Sequence, residues 1–158
     1  MKILIYAAAF TLVIASSVPA TYGNAPRTTG KVPHIVGAVQ FPQTRWRIVR
    51  HSFRLEIPQK SKALSQLSIE VPAGLTVRNN ISVSDQSERR ISTNVSVNDS
   101  KVILAFPEPI VPGTTLKVAL KDVKISRRSS FWLYPISVRL IGLNADIPIG
   151  IVRIRSYS

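Results

Sequence analysis

The sequence contains no cysteine among its 158 residues. Disulfide bonds are therefore excluded, as are thiolate catalysis and zinc sites built from cysteine. Histidine is nearly as scarce, because His34 and His51 are the only two and no other side chain is an ordinary acid–base group near neutral pH. The pair lacks the close spacing of metal ligands, and His51, beside Arg50 at the start of a strand, is expected at the surface. We expect no metal site and no cofactor.

Acidic side chains are also few, and their scarcity limits catalysis. The eight Asp and Glu residues are scattered singly along the chain. The sequence has no nucleophile elbow, Gly-rich phosphate loop or H-E-x-x-H motif. A glycosidase needs two carboxylates that face each other across a cleft, whereas Glu56 and Glu70 fall on outward positions of separate predicted strands. We predict no catalytic residue and no enzyme; an enzyme or accessory module acting on envelope glycans is the alternative.

Positive charge is abundant, with 21 Lys and Arg residues and a formal net charge of +13. A field of this sign favours anionic partners, here an anionic polysaccharide, a lipid surface or an envelope protein. The structural alternative is a basic protein whose charged edge strands discourage edge-to-edge pairing. Outward positions of the predicted strands and their approaches supply a candidate anion-binding surface, made of Arg45, Arg47, Lys117, Lys121, Arg153 and Arg155.

The first residues, "MKILIYAAAFTLVIASSVPATYG", have the three parts of a secretory signal. Lys2 gives the positive start, an apolar run follows from Ile3 to Ala15, and small residues come next. The run is too short to span a hydrocarbon core of about 30 Å. We predict a signal peptide over 1–20, an exported protein that is periplasmic or extracellular, and no transmembrane segment in the mature chain. Cleavage is expected after Ala20, with Gly23 and Ala25 as alternatives.

The segment 21–43 is rich in Gly, Pro, Thr and Asn and predicts a flexible leader with a short apolar strand near Ile35 to Val39. Beyond it a period of two begins, and in "HSFRLEI" the apolar residues alternate with polar ones, as in a strand with one buried face. Trp46 and Ile48 carry the opposite parity. This change of phase predicts a bulge or break between Val49 and Ser52.

The remaining sequence continues as short alternating strands with turn residues between them. In "ISTNVSVNDSKVILAF" the turn residues Asn98 to Ser100 predict a hairpin. "FWLYPISVRLIGL" is more continuously apolar, which predicts a more central strand. Seven to nine strands at spacings of roughly 8 to 12 residues, and no helical period, predict an all-β fold. We expect a single antiparallel β-sandwich, immunoglobulin-like or Greek-key, over 44–158.

Three prolines and a glycine interrupt "FPEPIVPGTTLKVAL", residues 106–120. Pro109 and Pro112 match the P-x-x-P pattern of peptides that bind aromatic grooves. Well-patterned strands flank the stretch, however, so a corner between two strands is favoured over a linear motif. Prolines cannot donate to a sheet, which places them at a strand end or an edge. "VPGT" then predicts a type II turn with positive φ at Gly113.

Aromatic residues bear on nucleic-acid binding, which uses aromatics interleaved with cations on an exposed sheet face. Phe53 and Phe106 share the parity of core aliphatic residues. Trp132, Tyr134 and Tyr157 are the better candidates for exposed positions. Export also separates the protein from most nucleic acid, and nucleic acid is not an expected partner.

Three blocks together resemble one family. They are "AFPEPIVPGTTLKVALKDVK", "HSFRLEIPQ" with "LSQLSIEVPAGL", and "GIVRIRSY". The sequence from about Trp46 to Tyr157 is similar to the secreted cyanobacterial family known as domain of unknown function 2808. The resemblance implies a signal peptide followed by one all-β domain, and it implies no catalytic residue. The chain lacks the glycines that the family often carries near "KISRRSSFWLYPISVRLIGLNADIP".

Overall fold

The computed structural model of the protein describes residues 30–157. These residues form β-strands and no helix, and so contain no helical segment capable of crossing a membrane. The predicted signal peptide, 1–20, lies outside the described residues. The strands are β1 His34–Phe41, β2 Ile48–Glu56, β3 Leu64–Glu70, β4 Leu75–Thr76, β5 Ile81–Ser84, β6 Asn94–Val97, β7 Lys101–Ile110, β8 Thr115–Ile125, β9 Phe131–Leu140 and β10 Ile147–Arg155.

The strands form two five-stranded antiparallel sheets. Sheet A has the order β1-β2-β8-β4, and β5 also pairs with β8; sheet B has the order β10-β9-β3-β7-β6. The predicted antiparallel β-sandwich is therefore confirmed. Strand β9 lies between β10 and β3, as its apolar sequence suggests. Strand β1 pairs with β2 and is the short strand expected near Ile35 to Val39, within the segment predicted to be a leader.

The core lies between the sheets and is built from the alternating apolar positions. Phe53, Leu55 and Ile57 are all buried, as their parity predicts. Each such side chain contributes on the order of 1.5–3 kcal/mol through burial. The facing residues of sheet B are buried as well, among them Leu67, Ile69, Val102, Leu104, Phe106, Ile136, Val138, Val152 and Ile154.

The predicted hairpin between β6 and β7 is present. Val95 pairs with Leu104 and Val97 with Val102. The Asn98 amide donates to the Lys101 carbonyl oxygen at 2.8 Å and closes the turn. The two strands thus pack their apolar side chains on the same side of sheet B.

A bulge was predicted between Val49 and Ser52 because Trp46 and Ile48 have the opposite parity to the apolar residues that follow. The structure gives a different reason for the irregularity. Trp46 and Ile48 are exposed, so the odd positions of β2 point inward from Val49 to the end of the strand. The side chains of β2 therefore do not switch faces. The predicted bulge is nevertheless present, because the pairing with β8 shifts between Val49 and His51; the extra residue belongs to β8, where Asp122 has a φ of 54°.

The prolines form the corner between β7 and β8, here called the proline corner (residues 107–114). Pro107 and Pro109 continue β7 instead of ending it. The pairing of β7 with β3 jumps between Ala105 and Ile110, so both prolines lie in a bulge that needs no donor from them. Gly113 has a φ of 87°, as the predicted turn requires, and its amide donates to the Ile57 carbonyl oxygen at 2.7 Å.

Candidate functional site

A groove of about 510 Å³ lies at the end of the sandwich opposite the proline corner. Three chain segments build it: the loop between β1 and β2, the last residues of β8 with the loop that follows, and the end of the chain after β10. The Ile125 amide donates to the Arg47 carbonyl oxygen at 2.7 Å and holds the first two segments together. The groove is lined by Gln40, Thr44, Arg45, Trp46, Arg47, Lys124, Ile125, Ser126, Arg127, Arg128, Ser156 and Tyr157.

The groove has a strongly positive lining. Five of its residues are Lys or Arg, and within the described part of the chain no Asp or Glu lines it. All five cations are exposed, so their charge is directed at solvent and at whatever enters the groove. Like charges held close together repel one another, and an anion between them would relieve that repulsion. The lining therefore suits a ligand with several negative charges.

Aromatic residues accompany these cations. The Trp46 side chain lies in the β1–β2 loop and is 65% exposed, although indole is among the most apolar side chains. Tyr157 lines the same groove, and the Arg155 guanidinium lies 5.9 Å from its ring centroid. The groove thus combines charge with flat apolar surface.

The groove also has polar groups at its floor. Gln40 and Ser156 line it although both residues are buried. Ser156 is held in place because its amide donates to the Ser130 carbonyl oxygen at 3.0 Å. Within residues 30–157, two buried side-chain atoms have no hydrogen-bond partner, Ser156 Oγ and Trp132 Nε1. Buried polar groups are normally paired, so the unpaired Ser156 hydroxyl is a candidate contact for a ligand.

Beneath the groove, a buried hydrogen-bond network joins the two sheets. Gln40 of β1, His51 of β2 and Tyr134 of β9 form it. The Gln40 Oε1 oxygen can only accept, so His51 Nε2 carries the proton and donates to it at 3.2 Å. His51 Nδ1 then accepts from the Tyr134 hydroxyl. Both ring nitrogens are satisfied only when the imidazole is neutral.

Burial sets the protonation of this network. Desolvation lowers the pKa of His51 to about 4, because burial removes the solvent that would stabilise the charged imidazolium. Desolvation also raises the pKa of Tyr134 above its usual value. Both groups are therefore neutral near pH 7. Their arrangement supports the fold beneath the groove and holds Gln40 in its floor.

These positions correct three expectations from the sequence. His51 is buried, although a surface position was expected, because Gln40 and Tyr134 satisfy its ring. Trp132 and Tyr134 are buried too, although both were candidates for exposed aromatics. A signal for His51 was present: it shares the parity of Phe53. Trp132 and Tyr134 likewise share the parity of Ile136, Val138 and Leu140.

The six candidate anion-binding residues fall in different places. Arg45 and Arg47 line the groove. Arg155 does not line it, but its guanidinium lies near the ring of Tyr157, which does. Arg153 lies on the outer face of β10, with its guanidinium 3.8 Å from the Phe131 ring centroid. Lys117 and Lys121 line two other pockets on sheet A. No sequence pattern singles out the other lining residues Lys124, Arg127, Arg128 and Trp46, since only the fold brings these loops together.

Carboxylates are found in another pocket of about 550 Å³, beside β5, which Asp85 and Glu88 both line. Partial desolvation acts to raise the pKa of Asp85. Hydrogen bonds from the Arg89 and Ser87 amides and the charge of Arg89 outweigh it, so the pKa of Asp85 lies below its usual value. A glycosidase acid needs a raised pKa. Within residues 30–157, no three His, Asp or Glu residues are grouped to hold a metal ion.

Known structures share the fold at low sequence identity. ACE19, the collagen-binding subdomain of the Enterococcus faecalis surface protein ACE, is 14% identical over 80% of this chain and 99% of that one, with a TM-score of 0.52. The N-terminal domain of the Streptococcus gordonii adhesin Sgo0707 is 9% identical, with a TM-score of 0.54; the match covers 80% of this chain and 32% of that one. A variant of BcpA, the major pilin subunit of Bacillus cereus, is 10% identical over 79% of this chain and 40% of that one, with a TM-score of 0.53. Identities this low establish the fold alone.

A comparison with curated proteins finds no match. The model of the family described as "Protein of unknown function (DUF2808)" matches residues 27–146. This match spans most of the sandwich, from the segment before β1 to the loop before β10. It confirms the resemblance drawn from the sequence motifs: the chain belongs to the DUF2808 family.

Proposed function

We propose that the protein is an exported, non-catalytic binding domain of the cell envelope that holds an anionic polymer in the groove. One observation carries this proposal: five cationic side chains line a single groove, and among the described residues no carboxylate lines it with them. Two cations elsewhere on the domain have a carboxylate partner, Arg89 with Asp85 at 3.0 Å and Arg139 with Asp146 at 2.9 Å. The groove concentrates unbalanced charge.

The fold supports a binding role. The chain shares its sandwich with a collagen-binding subdomain and an adhesin domain, and the names of both describe binding. Export of the protein rests on the secretory pattern at the start of the sequence. An anionic polysaccharide is the envelope polymer that best fits a groove lined by both cations and aromatic rings. The alternative, a glycan-acting enzyme, needs a carboxylic acid with a raised pKa, whereas the pKa of Asp85 lies below its usual value.

Dextran sulfate and neutral dextran of equal length test the proposal, because they differ only in charge. We expect the protein to bind dextran sulfate and to ignore dextran. Binding should weaken as the ionic strength rises, since the Debye length falls from about 30 Å at 0.01 M to about 3 Å at 1 M. Absence of binding to dextran sulfate at low ionic strength would contradict the proposal.

Matched variants locate the site. Arg45→Gln with Arg47→Gln removes two charges from the groove, and Lys117→Gln with Lys121→Gln removes two charges from other pockets. The first pair should weaken binding of dextran sulfate about tenfold, which is about 1.4 kcal/mol. The second pair should change it by less than about twofold, through the net charge alone. Equal losses in the two variants would mean that net charge, and not the groove, binds the polymer.

A further inference from the structure

We propose that the groove recognises an acidic sugar, meaning a sugar ring that carries a carboxylate or sulfate group. This inference rests on the proposed function and narrows the ligand from any anionic polymer to one chemical class. A cationic surface alone would bind any polyanion, including peptides and phosphates. The groove has three features beyond charge, and each fits a different part of an acidic sugar.

The first feature is the type of cation. Four of the five cations that line the groove are arginines: Arg45, Arg47, Arg127 and Arg128. A guanidinium group is planar and can donate two parallel hydrogen bonds to the two oxygens of one carboxylate or sulfate. Lysine provides only a point charge. The predominance of arginine therefore suits discrete acidic groups with paired oxygens.

The second feature is Trp46, the apolar wall of the groove. Its indole is 65% exposed, whereas the other tryptophan, Trp132, is only 3% exposed. The loop that carries it is constrained, because the Trp46 amide donates to the Thr44 carbonyl oxygen at 2.9 Å. One face of a sugar ring presents C–H groups, and these pack on a flat aromatic surface. A linear polyanion without rings would gain nothing from this surface.

The third feature is Ser156 at the floor. Its residue is 9% exposed, and its hydroxyl has no partner within the described residues. A serine side chain has a single rotatable bond before its oxygen, so one rotamer change can aim the hydroxyl at a ligand. Sugar hydroxyls both donate and accept hydrogen bonds. One that reached the floor would pair with Ser156 Oγ and remove an unsatisfied buried group.

The size of the groove agrees with a short saccharide. Its volume of about 510 Å³ lies within the range of about 300–1,000 Å³ that small-molecule sites occupy. A site of this volume holds a short segment of a polymer, so only a few sugar rings would be recognised at a time. Cations, ring surface and floor hydroxyl then contact the acidic group, the ring face and a ring hydroxyl of the same segment.

The test compares three short probes: trigalacturonate, which has both rings and carboxylates; triglutamate, which has carboxylates without rings; and maltotriose, which has rings without charge. We expect trigalacturonate to bind at least about tenfold more tightly than the other two, the gain that one stacking contact provides elsewhere. Binding should also change the fluorescence of Trp46, the exposed one of the two tryptophans. Equal affinity for trigalacturonate and triglutamate would overturn the inference.

Variants separate the ring contact from the charge. Trp46→Ala should weaken trigalacturonate binding about tenfold and leave triglutamate binding unchanged, and Trp46→Phe should retain part of the affinity. Ser156→Ala should weaken trigalacturonate binding by a few fold. Phe131→Ala is the matched control, since Phe131 is another exposed aromatic but does not line the groove. If Trp46→Ala binds trigalacturonate as the wild type does, the inference is wrong.

Failure of this inference is distinguishable from failure of the proposed function. If dextran sulfate binds in the groove but Trp46→Ala has no effect on trigalacturonate, the groove is a charge-only site and only the sugar inference fails. If neither dextran sulfate nor trigalacturonate binds, both fail. A change in Trp46 fluorescence with phosphatidylglycerol vesicles and none with trigalacturonate would overturn the sugar inference in favour of a lipid surface.

Discussion

Strand β8 runs from the proline corner to the groove, and the two ends of the sandwich that it joins treat charge differently. Near the corner, Asp85 accepts hydrogen bonds from the Ser87 and Arg89 amides and lies 3.0 Å from Arg89 Nε. The pocket at that end is lined by Asp85 and Glu108 as well as by Arg89 and Arg90, so it contains charges of both signs. At the groove, the described residues supply five cations and no carboxylate. The pocket at the corner thus combines cations with carboxylates, whereas the groove, among the described residues, is lined by cations without carboxylates.

The interiors of the two ends differ in the same way. Near the corner, Ile57, Leu64 and Leu116 are fully buried, and the buried Thr114 hydroxyl donates to the Val111 carbonyl oxygen at 2.8 Å. Beneath the groove lie the His51 network and the unpaired Ser156 hydroxyl. A domain that only needed stability would gain more from an apolar interior at both ends. The groove end therefore carries the features expected of a binding site, and the corner end those of a structural joint.

The His51 network gives the largest expected effect. The pKa of His51 falls from 6.5 to about 4 on folding, so the unfolded state takes up a proton in this interval while the folded state does not. Stability should therefore fall as the pH drops from about 6.5 to about 4, by about 3 kcal/mol. Chemical unfolding followed across this pH range measures the loss.

Two histidine variants isolate this effect from the carboxylates that titrate nearby in pH. His51→Gln keeps a donor and an acceptor but cannot titrate, so its stability should change much less between pH about 6.5 and about 4. His34→Gln removes the other imidazole, which is exposed and lies 3.5 Å from Glu56, and is the control for the loss of a histidine outside the network. An unchanged pH dependence in His51→Gln would show that the network does not set the acid sensitivity of the fold.

The network also shows where prediction from sequence stops. The alternation of Phe53, Leu55 and Ile57 was enough to predict β2 and its inner face, because a half-buried strand must alternate. The same parity applied to His51, but an imidazole is buried only when partners satisfy it, and Tyr134 lies 83 residues away. Such a contact depends on how two sheets pack, which no local pattern encodes.

The groove could not be predicted from the sequence for a similar reason. Its lining comes from Gln40 and from residues 44–47, 124–128 and 156–157. These segments are distant in sequence and meet only when the sheets pack together. The pattern did identify Arg45 and Arg47 as cations and placed the prolines in a corner. The pattern could not show that Arg45 and Arg47 line the groove while Lys117 and Lys121 do not. All four are cations, and only the arrangement of the loops in the fold distinguishes their positions.

A change at the corner is expected to have the next largest effect. Gly113 has a φ of 87°, a conformation that a β-branched residue adopts only with strain. Gly113→Val should destabilise the domain by about 2 kcal/mol. Gly113→Asn should destabilise it less, because asparagine tolerates a positive φ. Thermal melting measures both variants. Binding of dextran sulfate by the folded Gly113→Val protein should equal that of the wild type, because the groove lies at the other end.

Equal stability of the Gly113→Val and Gly113→Asn variants would indicate that side-chain overlap, and not φ, governs this turn. A β-carbon at position 113 would overlap the amide group of Gln59, the flexible end of an exposed side chain. Adding Gln59→Ala to each variant distinguishes the two causes. If φ governs, the difference between Val and Asn remains after Gln59 is shortened.

The smallest expected effect is a gain in stability at the corner end. Glu88 has a φ of 62°, and the left-handed region destabilises a non-glycine residue by about 1–2 kcal/mol. Glycine removes this strain but loses more entropy on folding, so Glu88→Gly should stabilise the domain by about 0.5 kcal/mol. Glu70→Gly, in an exposed strand position without positive φ, should destabilise it instead.

Glu88→Gly also removes one negative charge from the corner end. If the corner end of this variant bound dextran sulfate, an excess of positive charge would be sufficient for binding. The particular arrangement of residues in the groove would then not be required for it.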